Sequence, residues 1–269
     1  MHPALNIIVK AARSASKIIN RASHDLEHLK VTTKQQSDFV TEVDRAAEAA
    51  IIAVLREAYP DYGILAEESG GAAGQGVGCE YQWIIDPLDG TTNFIHGFPQ
   101  YAISIALAHK GQVTQSLVYD VVRNEMFTAS KGGGAFLNER RIRVSKCLKL
   151  EDALLGTGFP YRVFEHVNAY LGIFKELMQK TSGIRRPGAA SLDLAYVACG
   201  RLDGFWEFGL APWDMAGGAL LISEAGGLIG DLSGNEDYLA TGNVIAGTPK
   251  IFSQLLQVID SHRTVGLKA

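Results

Sequence analysis

The chain has 269 residues, 47% of them hydrophobic, and a formal net charge of −4. This length and apolar content suit one large domain or two modest subdomains, and they exclude a disordered chain. The near-balanced charge argues against a general nucleic-acid binder, because such proteins carry a basic excess. Cys79, Cys147 and Cys199 are too few and too scattered for a disulfide framework or a zinc site, so we expect a reducing compartment, the cytoplasm.

The first predicted element is an amphipathic helix at the N-terminus. Its apolar residues recur at helical spacing, and basic residues interrupt the continuous apolar centre that a secretory signal needs. No stretch of the sequence approaches the ~18 consecutive apolar residues of a membrane helix, so we expect no membrane association.

A second helix is predicted to begin at Thr41, because "TEVD" has the Thr-x-x-Asp form of a capping box, and to end at Pro60. The strand "GILA" follows and delivers Glu67 at its end. The glycine-rich segment "SGGAAGQGVG", residues 69–78, is predicted to be a flexible loop. It lacks the Lys-Ser/Thr of a phosphate loop, so it gives little support to a nucleotide site.

The two halves of the chain differ in pattern. Strands predicted over 101–110, 112–122 and 125–130 are separated by short turns, which indicates a mainly antiparallel sheet. From about residue 150 the pattern is layered α/β. It predicts strands at 153–159, near 184, 204–209, 227–231 and 243–247, with helices at 163–180, 189–199, 213–225 and 249–260. We expect a single domain, 1–269, with subdomains of about 1–148 (α+β) and 149–269 (α/β).

The stretch "WIIDPLDGTTNF", residues 83–94, carries the chemistry. Asp86 ends an apolar run, Pro87 fixes the exit direction, and Asp89 is followed by Gly90 and Thr91. Two carboxylates with free amide donors beside them suit a divalent cation and a phosphate. A lone Asp-x-x-Asp is also consistent with an ordinary Asx-type turn and solvated acids.

Other acidic residues shift the balance towards a metal site. Glu67 follows a strand, Asp214 stands in the first turn of a helix after Pro212, and Asp38 and Asp44 flank the start of the second helix. If Glu67, Asp86, Asp89 and Asp214 converge, they cannot all stay ionised without cations. Ligation by carboxylates alone favours Mg²⁺, with Mn²⁺ as the second choice, over zinc.

Together these segments resemble the inositol monophosphatase family of magnesium-dependent, lithium-sensitive phosphatases. "WIIDPLDGTTNF" is similar to its first motif, "PWDMAGGALLISEAGG" to its second, and "AEES" and "KQQSDFVTEVD" to its other acidic segments. "FVTEVDRAAE" and "RRPGAASLDLAYVACGRLDGFWE" look most like the bacterial SuhB-type members. The resemblance covers essentially the whole chain.

The resemblance implies a set of site residues. The first metal ion would be held by Glu67, Asp86 and the Leu88 carbonyl, and the second by Asp86, Asp89 and Asp214, with a weaker third ion near Glu67. Glu67, Thr91 and Asp44 would be catalytic. The substrate would be bound by Leu88, Asp89, Gly90, Thr91, Arg185, Ala190, Glu207 and Asp214. The family's early Lys stands five residues before its Asp, whereas Lys34 stands four before Asp38, so the role of Lys34 does not carry over.

The resemblance also implies a fold, cofactors and partners. The family fold is a layered αβαβα sandwich, its members are usually dimeric, and Li⁺ inhibits them. The implied reaction is hydrolysis of a small polyol phosphate, with myo-inositol 1-phosphate foremost. SuhB-type members also bind the bacterial transcription machinery, so a role in an RNA polymerase and Nus-factor assembly is implied as well. No residue pattern in the sequence demonstrates that role.

Several alternatives remain open at the level of sequence. A related enzyme of the superfamily would act on fructose bisphosphate or a phosphoadenosine nucleotide, although the chain lacks an obvious insert for binding a base. An aspartyl-phosphate mechanism is disfavoured, because it uses Asp-x-Asp and here two residues separate the acids. A protein that only binds a partner, through Arg185, Arg186 and the basic cluster at 140–146, is another alternative, and a scaffold with vestigial acids is the last.

Overall fold

The computed structural model describes residues 2–28, 31–35, 38–160 and 164–263. Its helices are α1 (Pro3–Ala22), α2 (Glu42–Ala58), α3 (Thr91–Ile95), α4 (Val167–Lys180), α5 (Ala190–Ala198), α6 (Pro212–Glu224), α7 (Tyr238–Thr241) and α8 (Pro249–Ser261). Among the described residues, no helix combines the length and the apolar character needed to cross a bilayer.

Within the described residues, eight strands form a large sheet. In sheet order they are β10 (Arg140–Arg141), β9 (Gly134–Leu137), β8 (Glu125–Ser130), β7 (Gln112–Asp120), β6 (Ala102–His109), β5 (Tyr81–Asp89), β3 (Gly63–Ala66) and β4 (Gly70–Ala72). Every neighbouring pair is antiparallel except β3 and β5, which run parallel. The predicted antiparallel character is confirmed.

A smaller sheet is built from the second half of the chain. Its order within the described residues is β12 (Gly183–Arg185), β11 (Leu154–Thr157), β13 (Gly204–Glu207), β15 (Val244–Gly247) and β14 (Leu228–Gly230). β11 pairs in parallel with both β12 and β13, whereas β15 pairs antiparallel with β13 and β14. Near the N-terminus, β1 (Val31–Gln35) and β2 (Asp38–Thr41) form a separate antiparallel pair.

The elements stack in five layers. Helices α1 and α2 pack on one face of the large sheet. Helices α5 and α6 together form the middle layer, because both contact the large sheet and the smaller sheet. Helix α8, with α4 beside it, covers the outer face of the smaller sheet. Each layer buries one apolar face on the next, because an amphipathic helix or a one-sided sheet must cover that face. The predicted αβαβα order is therefore confirmed.

Helix α2 begins as predicted. The Thr41 side chain accepts hydrogen bonds from the backbone N–H groups of Val43 and Asp44, and the Asp44 carboxylate accepts from the Thr41 N–H in return. This reciprocal capping box satisfies donors that the first helical turn would otherwise leave open. It also holds the Asp44 carboxylate in a fixed position, fully buried.

The glycine-rich segment differs from the prediction of a flexible loop. It contains β4 and the start of a 3-10 helix, Gly76–Glu80. The glycines allow close backbone packing here: a Cβ at Gly78 would overlap the backbone of Asp61, and the Gln75 N–H donates to the Asp61 carbonyl at 2.8 Å. Composition alone does not distinguish glycines that loosen a chain from glycines that let two backbones meet.

Candidate active site

Strand β5 carries the two acids of the opening motif across a β-bulge. Asp86 lies opposite Ser104 and Asp89 lies opposite Ala102, so three steps along β5 match two along β6. The strand therefore continues past Asp86, which does not end it as the sequence suggested. Pro87 fits at this point because a bulge does not require its missing N–H. The bulge allows both acids, three residues apart, to line the same cavity.

Each acid on β5 is held by a hydrogen bond. Asp86 Oδ1 accepts from the Leu88 N–H at 3.0 Å. Asp89 Oδ2 accepts from both the N–H and the hydroxyl of Ser191, at 2.8 and 2.5 Å, across from helix α5. The second oxygen of Asp89, Oδ1, takes no part in these two bonds.

Gly90 and Thr91 turn the chain from β5 into the short helix α3. Gly90 has φ of 90°, and a Cβ there would lie 2.8 Å from the Gln100 carbonyl oxygen, so the position requires glycine. Thr91 Oγ1 lies 2.8 Å from Asp44 Oδ1 and 3.0 Å from the Leu88 carbonyl oxygen. Because a hydroxyl has one proton, Thr91 donates to one of these oxygens at a time.

Glu67 directly follows β3, as predicted. Its backbone N–H donates to the Ile85 carbonyl, which ties the residue to β5. The next two N–H groups, of Glu68 and Ser69, donate to the two carboxylate oxygens of Glu48 at 2.8 and 2.9 Å. Glu48 is a buried residue of α2, so this helix fixes the turn that presents Glu67. Sequence analysis did not identify Glu48.

Asp214 occupies the first turn of α6, after Pro212 at the helix start, as predicted. Its Oδ2 accepts from the Ala211 N–H at 2.8 Å. A carboxylate in the first turn is favoured by the helix dipole. Helix α6 therefore brings this acid to the β5 acids from the layer between the sheets.

These elements enclose one cavity of about 580 Å³. It is lined by predicted site residues: Glu67, Asp86, Leu88, Asp89, Gly90, Thr91, Ala190, Glu207 and Asp214. Asp44 is buried behind this lining and reaches the cavity through Thr91. The side chains of Lys34 and Asp38 lie outside the part of the chain that the structure describes.

The acids strongly perturb each other. Burial, followed by repulsion from Glu67, Asp89 and Asp214, raises the pKa of Asp86 well above its usual value. Burial and the charge of Asp214 raise the pKa of Asp89 to about 7. Burial also raises the pKa of Asp44, against the opposing effect of its hydrogen bonds from Thr41 and Thr91. The site therefore concentrates negative charge that a bound cation would stabilise.

The donor chemistry fits a hard divalent cation, since the residues offer carboxylate and carbonyl oxygens. The acids line the cavity without closing into a compact centre: within the described ranges, no three His, Cys, Asp or Glu side chains are grouped as a metal site requires. Repulsion among Glu67, Asp86, Asp89 and Asp214 opposes a closer approach of the ionised acids.

The far side of the cavity differs from the prediction at one residue. Arg185 is exposed and donates to the Ile184 carbonyl, outside the lining, whereas its neighbour Arg186 lines the cavity and stacks on the Phe159 ring at 5.3 Å. Glu207, at the end of β13, packs so closely on Gly158 that a Cβ there would overlap the Glu207 carboxylate.

Sequence analysis also missed Asn93, Ser191 and Asp193. Asp193 lines the cavity and is almost fully buried within α5, and burial, with the charges of Glu207 and Asp89, raises its pKa well above the usual value. The one available signal was an acid inside the otherwise apolar run "SLDLAYVA". The position of Asn93 inside the motif "WIIDPLDGTTNF" could have identified it, whereas no signal in the sequence pointed to Ser191.

The comparisons with known proteins agree with this geometry. The chain matches the inositol monophosphatase family over residues 1–264. It is 54% identical to the Nus factor SuhB of Pseudomonas aeruginosa and 47% identical to that of Escherichia coli K12, in both cases over 100% of each chain.

Solved structures show the same fold. The extragenic suppressor protein SuhB of Bartonella henselae superposes with a TM-score of 0.93 at 42% identity, covering 96% of this chain and 98% of that one. An inositol monophosphatase of Thermotoga maritima gives a TM-score of 0.87 at 33% identity, covering 97% and 98%. The chain belongs to the inositol monophosphatase family.

Proposed function

We propose that the protein hydrolyses phosphate monoesters of small polyols in a Mg²⁺-dependent reaction, with myo-inositol 1-phosphate as substrate. The convergence of Glu67, Asp86, Asp89 and Asp214 on one cavity beside Gly90 and Thr91 is the observation that carries this proposal. The family match and the similarity to inositol monophosphatases support it.

The metal would be held by Glu67, Asp86, the Leu88 carbonyl, Asp89 and Asp214. When bound, Mg²⁺ supplies positive charge that neutralises the phosphoryl oxygens and lowers the pKa of water. Mn²⁺ would be the alternative cation, and Li⁺ would inhibit.

The protein groups orient the water that attacks phosphorus. When Thr91 donates its hydroxyl proton to Asp44, its oxygen lone pairs can accept a hydrogen bond from that water. Glu67 lines the same cavity, and its carboxylate would accept a hydrogen bond from the second O–H of that water. Attack is direct and in line, with inversion at phosphorus, and a nearby water protonates the leaving alkoxide.

The remaining cavity residues would bind the substrate. The backbone amides of Gly90 and Thr91 would hold the phosphate, and Ala190, Glu207 and Arg186 would contact the polyol. Arg186 has this role in place of Arg185, because it is the arginine that lines the cavity.

A phosphate-release panel tests the proposal. Purified protein is assayed with myo-inositol 1-phosphate, fructose 1,6-bisphosphate and a phosphoadenosine nucleotide, with and without Mg²⁺, and again with Li⁺. We expect Mg²⁺-dependent, Li⁺-sensitive release that is fastest with the inositol ester. Faster release from either other substrate would overturn the substrate assignment, and trapping a phosphorylated Asp86 or Asp89 would overturn direct water attack.

We propose a second, non-catalytic role in a transcription complex of RNA polymerase and Nus factors, which would place the protein in the cytoplasm. The support is the full-length similarity to proteins named Nus factor SuhB. Arg140, Arg141, Arg143 and Lys146 form an exposed basic cluster on and after the β9–β10 hairpin, which is the first surface to test, together with Arg185.

Co-elution of the protein with RNA polymerase and Nus factors measures this second role. The variant Asp89→Asn should co-elute like the original chain, because the binding surface lies outside the cavity. Loss of co-elution in Asp89→Asn, or the absence of co-elution with the original chain, would count against this second role.

We also propose a homodimer, as the resemblance implies, and light scattering of the purified protein would measure its mass.

A further inference from the structure

A single side-chain nitrogen joins three backbone segments at the edge of the cavity. Asn93 Nδ2 lies 2.7 Å from the Gln100 carbonyl oxygen, 2.9 Å from that of Pro187 and 3.2 Å from that of Gly188. An oxygen in this position would face three acceptors, so the contacts themselves identify the atom as nitrogen. The two protons of the amide are shared among the three carbonyls.

The same segments meet backbone to backbone. A Cβ at Gly90 would lie 2.8 Å from the Gln100 carbonyl oxygen and 3.3 Å from that of Gly188. Gly188 has φ of +87°, and a Cβ there would lie 2.7 Å from Arg186 Nη1 and 3.1 Å from Asn93 Nδ2. The turn at Gly90 and Thr91 and the segment 186–190 thus meet too closely for a side chain at either glycine.

The segment 186–190 carries the polyol side of the cavity. Arg186 and Ala190 both line it, and the next residue, Ser191, donates to Asp89. Asn93 stands three residues after Gly90, at the phosphate side. Its contacts with Pro187 and Gly188 therefore connect the two ends of the cavity.

We propose that Asn93 is a positioning residue that holds segment 186–190 in register with the phosphate turn at Gly90 and Thr91. Its amide sets the distance between the bound phosphate and the groups that contact the polyol. The assignment of those two ends rests on the proposed function, whereas the structural connection does not. Asn93 itself touches neither the reacting atoms nor the metal ligands in this role.

Hydrogen–deuterium exchange tests the connection without substrate or metal. We expect Asn93→Ala to speed exchange in peptides covering 186–190 about tenfold, because the hydrogen bonds that oppose local opening are lost. Asn93→Ser, whose hydroxyl can satisfy one carbonyl, should give a smaller increase. Asn168→Ala, at an exposed position of α4, is the control and should match the original chain. Unchanged exchange in a folded Asn93→Ala protein overturns the proposal.

Kinetics test what the connection does. For Asn93→Ala we expect the KM for myo-inositol 1-phosphate to rise about tenfold, because small misplacements of binding groups are costly. p-Nitrophenyl phosphate has no polyol, so its KM should change less than about twofold. Equal losses on both esters would indicate a merely structural role and overturn the proposal.

The two failures can be told apart. If the original chain hydrolyses neither ester, the proposed function fails, and the exchange experiment still decides whether Asn93 restrains segment 186–190. If the original chain is active and Asn93→Ala has the same ester preference, the positioning role fails and the proposed function stands.

Discussion

At the scale of single residues, Asp44 joins a helix start to the candidate site. One of its oxygens closes the capping box of α2, and the other accepts from the Thr91 hydroxyl. A capping box is ordinary local structure, and sequence analysis predicted it as such. The capping box also holds Asp44 Oδ1 in place as one of the two acceptors of the Thr91 hydroxyl, the other being the Leu88 carbonyl oxygen.

Thr91→Val removes that hydroxyl and keeps the shape of the side chain. We expect the rate constant for hydrolysis of myo-inositol 1-phosphate to fall about a hundredfold, in the range seen for lost active-site hydrogen-bond groups. Thr114→Val, which deletes a hydroxyl bonded to the Leu107 carbonyl, is the control and should keep its activity. A Thr91→Val enzyme with near-normal turnover would reject the orienting role.

Asp89 makes the stability of the metal-free protein depend on pH. Its pKa is raised from 3.8 to about 7, so between these values the folded state binds more protons than the unfolded state. The contribution of Asp89 to the free energy of unfolding is therefore fully present below pH ~3.8 and is lost as the pH rises through ~7. The slope should stay below the ~1.4 kcal/mol per pH unit of a complete one-proton linkage, because Asp89 is only half-buried.

Urea unfolding of chelator-treated protein between pH 4 and 8 measures this slope. Asp89→Asn cannot ionise, so we expect its free energy of unfolding to fall less steeply with pH than that of the original chain. Phosphate release by this variant should be abolished while its circular dichroism is unchanged. Parallel slopes in the two proteins would contradict the raised pKa.

At the scale of elements, regular patterns were predictable and strand register was not. The long helices begin and end within a few residues of the predicted bounds, because apolar periodicity, caps and prolines are local signals. The bulge between Asp86 and Asp89 depends on the facing strand β6, which the sequence of β5 does not contain. The short elements β1, β2, β4 and α7 were missed for a similar reason: too few residues carry a pattern.

Strand register also explains why Arg186, and not the predicted Arg185, lines the cavity. Successive side chains of an extended segment point to opposite faces, so a shift of one residue moves an arginine from the cavity to solvent. The sequence "RRPGAA" does not indicate which of the two arginines faces the cavity and which faces solvent. Only the pairing of β12 with β11 sets it, with Arg185 opposite Gly156.

The contact between α5 and α6 depends on a glycine. A Cβ at Gly218 of α6 would overlap the side chain of Leu194 on α5. We expect Gly218→Ala to lower the free energy of unfolding by about 3 kcal/mol, because the added methyl group must separate two packed helices. Urea denaturation measures the change.

The matched control for that substitution is Gly71→Ala in β4. The nearest atom to a Cβ at Gly71 is Leu65 Cδ1, at 4.0 Å, and the residue is exposed. Its free energy of unfolding should stay within about 0.5 kcal/mol of the original value. Equal effects of the two substitutions would show that the helix contact is not as tight as the structure indicates.

At the scale of the whole molecule, the acids connect two layers. Glu67, Asp86 and Asp89 project from the large sheet, and Asp214 projects from α6 in the layer between the sheets. Without a cation, the ionised groups of the two layers repel each other, since the charge of Asp214 raises the pKa of both Asp86 and Asp89. A bound divalent cation would turn this repulsion into a link between the layers.

Asp214→Asn should therefore change stability in opposite directions with and without metal. In chelator, we expect the variant to melt at a higher temperature than the original chain, because one repelling charge is gone and the asparagine oxygen can still accept from the Ala211 N–H. With Mg²⁺ at about a hundred times its dissociation constant, the original chain should gain about 2.7 kcal/mol, or about 5–10 °C in melting temperature.

The variant should gain much less from Mg²⁺, so the order of the two melting temperatures reverses when the metal is added. Asp237→Asn, at an exposed position before α7, removes the same charge away from the cavity and should follow the original chain in both conditions. Scanning calorimetry of the three proteins measures all six values. An equal Mg²⁺ shift in Asp214→Asn and the original chain would mean that the cation binds to the acids of the large sheet without Asp214, and it would overturn the proposed link between the layers.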